Sequence, residues 1–153
     1  MESFDAIDRL ILRSVQADAA QSVAVLAVQV GTSPASCWRR LRALEASGVL
    51  GRTVRLLDAR KVHRAVNVMC QVRLKSHAPE SRRGFERLLE SHEEIMECYA
   101  MSGEWDYLLR IVVADIDAYE HFLMKHVLNH ESVATVASNF ALSQLKYSTA
   151  LPI

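Results

Sequence analysis

Residues 66–74, VNVMCQVRL, alternate strictly: Val66, Val68, Cys70, Val72 and Leu74 are separated by Asn67, Met69, Gln71 and Arg73. A two-residue period puts the first set on one face of a strand, whereas a helix needs its apolar side chains every three or four residues. Upstream the period is helical. In DAIDRLILRSVQAD, Ile7, Leu10, Ile11 and Val15 fall at helical spacing, with Asp5 and Asp8 near the positive end of the helix dipole. In SVAVLAVQV, Val23, Leu26, Ala27 and Val30 form a second, short stripe that Ser22 can cap and Gly31 can end. In SPASCWRRLRALEASGVL, Ser33 is placed as N-cap, Pro34 takes the first helical position and Gly48 is the stop. The period changes across the linker DARKVHRA, which divides the chain into a helical domain over 1–60 and a second domain over 61–153.

The second domain reads as a strand, a helix (PESRRGFERLLESH, with Phe85, Leu88 and Leu89 inward), two strands and a second helix, followed by a last strand, SVATVASNFAL. The two middle strands, EIMECYAM and WDYLLRIVVA, are joined by SGE, short enough for a hairpin. The second helix, DIDAYEHFLMKHVLNH, begins at Asp115 and carries Ile116, Tyr119, Phe122, Leu123 and Val127 on one side. The order β-α-β-β-α-β is the ferredoxin-like split unit, so the fold class is α+β. The strand at 107–113 is apolar on both faces: Tyr107, Leu109, Ile111 and Val113 on one, Leu108 and Val112 on the other. Both helices of such a unit cover the same sheet face, so the second face calls for a second subunit.

The first three helices, with a tight GTS turn between the second and third, form a helix-turn-helix, and VLGRTVRLLD after Gly48 is expected to form a short extended wing. Total charge is balanced, 18 basic against 18 acidic residues, but its distribution is not. Between Ser36 and Arg60 six arginines face only Glu45 and Asp58. Stepping 100° per residue around the third helix sets Cys37, Leu41 and Leu44 inward. Arg39 and Arg42 then point outward among Ala35, Ser36, Ala43 and Ala46, and Arg40 lies on the flank. Small side chains beside arginines let a helix enter the major groove, where arginine reads guanine or pairs with phosphate. Double-stranded DNA is therefore the expected partner.

The order and spacing of DAIDRLILRSVQAD, SPASCWRRLRALEASGVL, LLDARKV, ECYAMSGEWDYLLRIVVADIDAYEHFL and LKYSTALPI resemble the leucine-responsive regulatory protein/AsnC (Lrp/AsnC) family of transcription regulators. The resemblance implies a (winged) helix-turn-helix joined to a ferredoxin-like ligand-sensing domain. It also implies a homodimer that assembles into a tetramer or octamer and binds a small effector, usually an amino acid, between dimers. By position it places Ser33, Ser36, Arg39, Arg40 and Arg42 in the DNA-reading helix. Gly103, Glu104, Trp105, Asp106 and Tyr107 fall in an effector loop, and Thr135 and Ser138 on a strand facing that pocket. Asp106 suits an ammonium, and N–H groups near Gly103 with the two hydroxyls suit a carboxylate. Asp106 equally suits a turn, and Trp105 a packing or dimer contact. Where relatives often carry polar residues in the second helix, Val25 and Val28 stand on its outer side, and His63 occupies a position that is often glycine.

Other classes of function find weaker support. Cys37, Cys70 and Cys98 are an odd, widely spaced set that reads as reduced thiols in a cytoplasmic protein. Cys98 and His92 lack a third group for nucleophilic catalysis, so no enzyme is expected. His126 and His130 are four apart, near His121, but without a further ligand of matching spacing they read as structural, and no metal or cofactor is expected. No apolar run approaches the ~20 residues that cross a bilayer, so no membrane partner is expected.

Overall fold

The first helix, α1 (Ala6–Ala17), begins where Asp5 and Asp8 exchange bonds: Asp8 N–H donates to Asp5 Oδ1 at 2.8 Å and Asp5 N–H to Asp8 Oδ2 at 3.3 Å. This reciprocal cap satisfies two amides that a helix start leaves open. α2 (Val23–Gln29) starts under Ser22, and α3 (Pro34–Ala46) under Ser33 with Pro34 in its first turn. Gly31 and Gly48 follow these helices with φ of 70° and 77°, a left-handed backbone that favours glycine. Ile11, Leu12, Leu26, Ala27, Val30, Cys37 and Leu44 make one core. Its seam runs through Leu12 rather than Leu10, which is exposed.

The computed structural model describes residues 4–153 of the chain. They fall into two units, residues 4–55 with 145–153, and residues 56–144. The tail thus groups with the helical unit, whereas a single division after residue 60 assigns it to the second domain. Side-chain contacts account for this. Leu151 N–H donates to Gln16 Oε1 at 2.6 Å, Arg13 Nε donates to the Ile153 carbonyl at 2.7 Å, and Ile153 packs against the helical core. The wing expected after Gly48 forms no strand among the described residues. Residues 51–57 are exposed chain, because no second alternating segment lies nearby in sequence to pair with them. His63 closes the following turn at φ 55°, the left-handed region in which glycine would be unstrained.

In the second unit, β1 (Val66–Leu74), α4 (Pro79–Glu90), β2 (Ile95–Ala100), β3 (Tyr107–Val113), α5 (Ile116–Phe122) and β4 (Val133–Phe140) follow the expected order. The sheet order β2-β3-β1-β4 is antiparallel throughout and matches the ferredoxin-like arrangement. Val68, Cys70, Val72 and Leu74 are buried as their alternation requires, and pack with Phe85, Leu88, Leu109, Ile111, Tyr119, Phe122 and Val127. The second helix differs from expectation in two ways. It passes at Leu123–Leu128 into a π-helical turn, and Ile116 is exposed. Six residues at 100° place Ile116 about 240° from Phe122, off the buried side.

The opposite sheet face presents Met69, Leu108 and Val112 half-buried, with Tyr99 and Met96 exposed beside them. The buried amide oxygen of Asn67, on the same face, has no partner among the described residues. An apolar face with an orphan acceptor is what a subunit contact would cover. Sedimentation is expected to show a dimer or larger assembly, and Leu108→Asp to shift it toward monomer. A wild-type monomer at micromolar concentration would contradict this assignment of the face.

Candidate functional site

On α3 the exposed side holds Ala35, Arg39, Arg42, Ala43 and Ala46, with Ser36 half-buried. Ser33 is engaged as the cap, its Oγ accepting from Ser36 N–H at 3.2 Å. The three arginines divide. Arg40 Nη1 lies 2.7 Å from both Asp5 Oδ2 and Asp8 Oδ1, so its guanidinium ties α3 to the cap of α1. Arg42 makes an exposed 3.0 Å pair with Glu45, and its guanidinium lies 5.6 Å from the centre of the Trp38 ring. Arg39 is exposed. Two arginines therefore project outward, while Arg40 is committed within the protein. Trp38, 54% exposed, is a member of this surface that helical phasing alone did not single out. An aromatic face that steadies a guanidinium orients it for a ligand.

The loop between β2 and β3 closes by a bond from Met101 N–H to the Asp106 carbonyl at 2.8 Å, and Gly103 within it has φ 120°. Asp106 fastens the loop to the end of β1. Its N–H donates to the Val72 carbonyl at 3.0 Å, and its Oδ2 accepts from Leu74 N–H at 2.8 Å. Oδ1 lies 2.7 Å from His77 Nε2. The pairing of β1 with β3 ends at Val72↔Tyr107, so the carboxylate supplies an acceptor where the ladder stops. The Leu74 bond, and then His77, hold the Asp106 carboxyl below the usual carboxylate range against the opposing effect of burial.

Next to this anchor Arg73 bonds Glu104 twice, to its carbonyl at 3.1 Å and to Oε1 at 2.7 Å, and lies 5.1 Å from the centre of the Trp105 ring. Thr135 pairs with Arg73 across the β1–β4 ladder and is exposed on the same face. Gly103, Glu104, Trp105 and Asp106 are thus held in one loop, and Arg73 links Glu104 and Trp105 to β1, opposite Thr135 on β4. Two expected residues point elsewhere. Tyr107 packs its ring 4.7 Å from Phe85, on the helix-covered side. Ser138 opposes Cys70, and its Oγ is 2.5 Å from Tyr119 Oη on that side. Thr135 and Ser138 are three residues apart, an odd step that puts them on opposite faces of a strand. Arg73 is the residue that sequence reasoning missed; its signal was a cation at an outward position of an otherwise uncharged strand.

The helical segment and this loop-bearing sheet each have counterparts in known proteins. The AsnC-type helix-turn-helix domain matches residues 4–45, and the Lrp/AsnC ligand binding domain matches residues 67–151. The chain belongs to the Lrp/AsnC family. It is 35% identical to the DNA-binding transcriptional activator DecR of Escherichia coli, over 97% of this chain and 98% of that one. It is 34% identical to the glutamate uptake regulatory protein of Zymomonas mobilis, over 100% and 93%. Among solved structures, an AsnC family regulator from Agrobacterium tumefaciens is 43% identical, with a TM-score of 0.92 over 97% of each chain. The NMB0573/L-Met complex from Neisseria meningitidis is 31% identical, with a TM-score of 0.94 over 98% of this chain and 97% of that one.

As an Lrp/AsnC regulator the chain has a DNA-binding helix-turn-helix and a small-molecule-sensing domain, and the family is regulatory rather than enzymatic. Among the described residues no three His, Cys, Asp or Glu side chains gather as metal ligands do, and no helix is long and apolar enough to cross a membrane. Burial pushes the Cys37, Cys70 and Cys98 thiols up, opposite to the shift that activates a nucleophile.

Because the native carboxyl of Asp106 titrates below its unfolded value, its contribution to stability is present above the unfolded pKa of about 3.9 and is lost as pH falls through the native one. Asp106→Asn is expected to lower the melting temperature at neutral pH. The gap from wild type should begin to narrow below about pH 4, where the unfolded carboxyl protonates, and close as pH falls through the lower native value. A gap independent of pH, measured by circular dichroism, would exclude this linkage.

Proposed function

We propose that this Lrp/AsnC regulator reads DNA through Arg39 and Arg42, with Ser36 and the Trp38-supported Arg42 face against the major groove, and that a free amino acid tunes this binding. The observation that carries the first part is the division of the arginines: only Arg40 of the three is engaged by the carboxylates of α1. Arg40 and Ser33 then hold the helix in place rather than read bases. A guanine contact by one outward arginine is worth about 1–3 kcal/mol, and each phosphate contact adds to the salt dependence of affinity. Arg39→Ala with Arg42→Ala should therefore weaken binding to a cognate operator at least about tenfold and flatten its salt slope, with the fold intact. Arg40→Ala should instead lower the melting temperature of the helical unit. Unchanged operator affinity in the double variant, measured by fluorescence anisotropy, would reject the assignment.

For the effector, the exposed Arg73–Glu104 pair beside Trp105 presents a cation and an anion side by side, complementary to the carboxylate and ammonium of a free amino acid. Thr135 and the backbone around Gly103 complete this polar surface. Asp106 holds the loop through Leu74 and His77 and adds negative charge beside this surface. A structural neighbour solved with L-Met and a relative that regulates glutamate uptake favour the amino-acid class. The site lies on the uncovered sheet side, so a dimer that assembles further, into a tetramer or octamer, would close it from a neighbouring subunit. Effector binding would then change half-site spacing on DNA. Reduced thiols and a genomic target suit action in the cytoplasm.

A thermal-shift screen of free amino acids is expected to find at least one that stabilises the wild type. That stabilisation should be lost in Arg73→Ala and reduced in Asp106→Ala. No stabilising amino acid, or equal stabilisation of wild type and Arg73→Ala, would reject this site.

A further inference from the structure

Between α4 and the turns that follow α5 lies a groove of about 450 Å³, lined by Arg87, His92, Lys125, His126, Asn129 and His130 with the backbone of Gly84. None of these residues belongs to the DNA-reading helix or to the effector loop. Five of the lining side chains are cationic or can become so, and none is a carboxylate. A volume of this size is in the range of small-molecule sites.

Two features of the backbone shape it. Lys125 and His126 sit in the π-helical turn Leu123–Leu128, a rare geometry that recurs at functional sites. Gly84 lets α4 come close on the other side: a Cβ there would lie 3.1 Å from Ser132 Oγ and 3.5 Å from His130 Cε1. The imidazoles are also oriented. His92 Nδ1 lies 2.9 Å from both the Leu88 carbonyl and Ser91 Oγ, and Nε2 has no hydrogen-bond partner among the described residues. His130 Nδ1 accepts from Ser132 N–H at 3.2 Å, which leaves Nε2–H as a donor. The His126 ring lies 4.2 Å from that of His92, and His126 has no hydrogen-bond partner among the described residues.

We propose that this groove binds a small phosphorylated metabolite, its phosphoryl group held by Arg87 and Lys125 together with the rings of His92 and His126. A phosphate carries close to two negative charges and three exposed acceptor oxygens, which matches several converging donors better than a single carboxylate does. Guanidinium and ammonium supply permanent charge, and His126 can gain one when an anion binds.

The surroundings of His126 disfavour its protonated form. Burial, then the neighbouring His92 and Lys125, hold His126 below the ordinary imidazole value. His121 on the same helical segment adds to this, and Glu94 opposes it. Arg87 and His130 face the same space. A bound dianion reverses the balance, so binding takes up protons and tightens as pH falls. This site is independent of the amino-acid site and stands or falls separately.

The test is titration of the full-length protein with inorganic phosphate, glucose 6-phosphate and sulfate, followed by calorimetry and by the histidine ring signals in NMR. Chloride at equal ionic strength serves as the control. Sulfate stays doubly charged between about pH 6 and pH 8, so any pH dependence of its affinity comes from the protein. Saturable binding is expected, with the His92 and His126 signals moving and sulfate binding tighter at the lower pH. Arg87→Gln and His126→Gln should each weaken it roughly tenfold or more, and Arg87→Lys should restore part of the loss. Tighter binding of glucose 6-phosphate than of phosphate would mark an organic ester as the source, and equal binding free phosphate. Lys125→Gln, at an exposed position, carries the same expectation should Arg87→Gln fail to fold. Affinities equal in wild type and folded variants, or a response matched by chloride, would overturn the proposal.

Discussion

β1 is hydrogen-bonded along both edges, to β3 on one side and β4 on the other, and the second unit is organised around it. Its alternation sends Val68, Cys70, Val72 and Leu74 into the core, so a one-residue slip would turn every one of them to the opposite face. The same register brings Arg73 opposite Thr135 and ends the β3 ladder where Asp106 can bond Leu74. The candidate effector surface is therefore a consequence of how β1 ends. A loop that carries Gly103 at positive φ is held to β1 by Asp106, through its amide and its carboxylate, and by the Arg73–Glu104 bonds, an arrangement suited to a binding surface that must keep its shape.

In the helical unit a comparable role falls to Arg40. Its pair with Asp5 and Asp8 joins the start of α1 to the middle of α3 and fixes which side of α3 faces out. Arg39 and Arg42 project outward, Arg42 beside an exposed Glu45 partner. Trp38 adds an aromatic neighbour to Arg42, and the small residues Ala35, Ala43 and Ala46 leave the approach open.

Much of this was legible in local pattern. The caps at Ser22 and Ser33, the glycine stops and the strand at 66–74 are short-range effects, and the elements appear where their residues place them. The inward set Cys37 and Leu44 and the outward Arg39 and Arg42 follow from one rotation per residue. Long-range partners left no such signal. The Asp106–Leu74 bond joins residues 32 apart, the Arg73–Glu104 pair spans 31, and the tail meets α1 across 135 or more. The separation of Thr135 from Ser138 was readable from strand period alone, but position within a family motif pointed the other way.

The sequence by itself determined the order of the main helices and strands, most of their buried positions and the family, because periodicity, capping and turn chemistry act within a few residues. The absent wing, the π-helical turn and the exposure of Leu10 and Ile116 were decided by packing. Tertiary structure alone decided which charges are consumed by the fold and which remain for ligands. Arg40, Asp106 and Ser138 are each engaged by a partner within the chain, and Arg73 joins the effector surface. The physical reason is that a polar side chain is assigned by whatever group folding brings within about 3 Å, and that neighbour is usually distant in sequence.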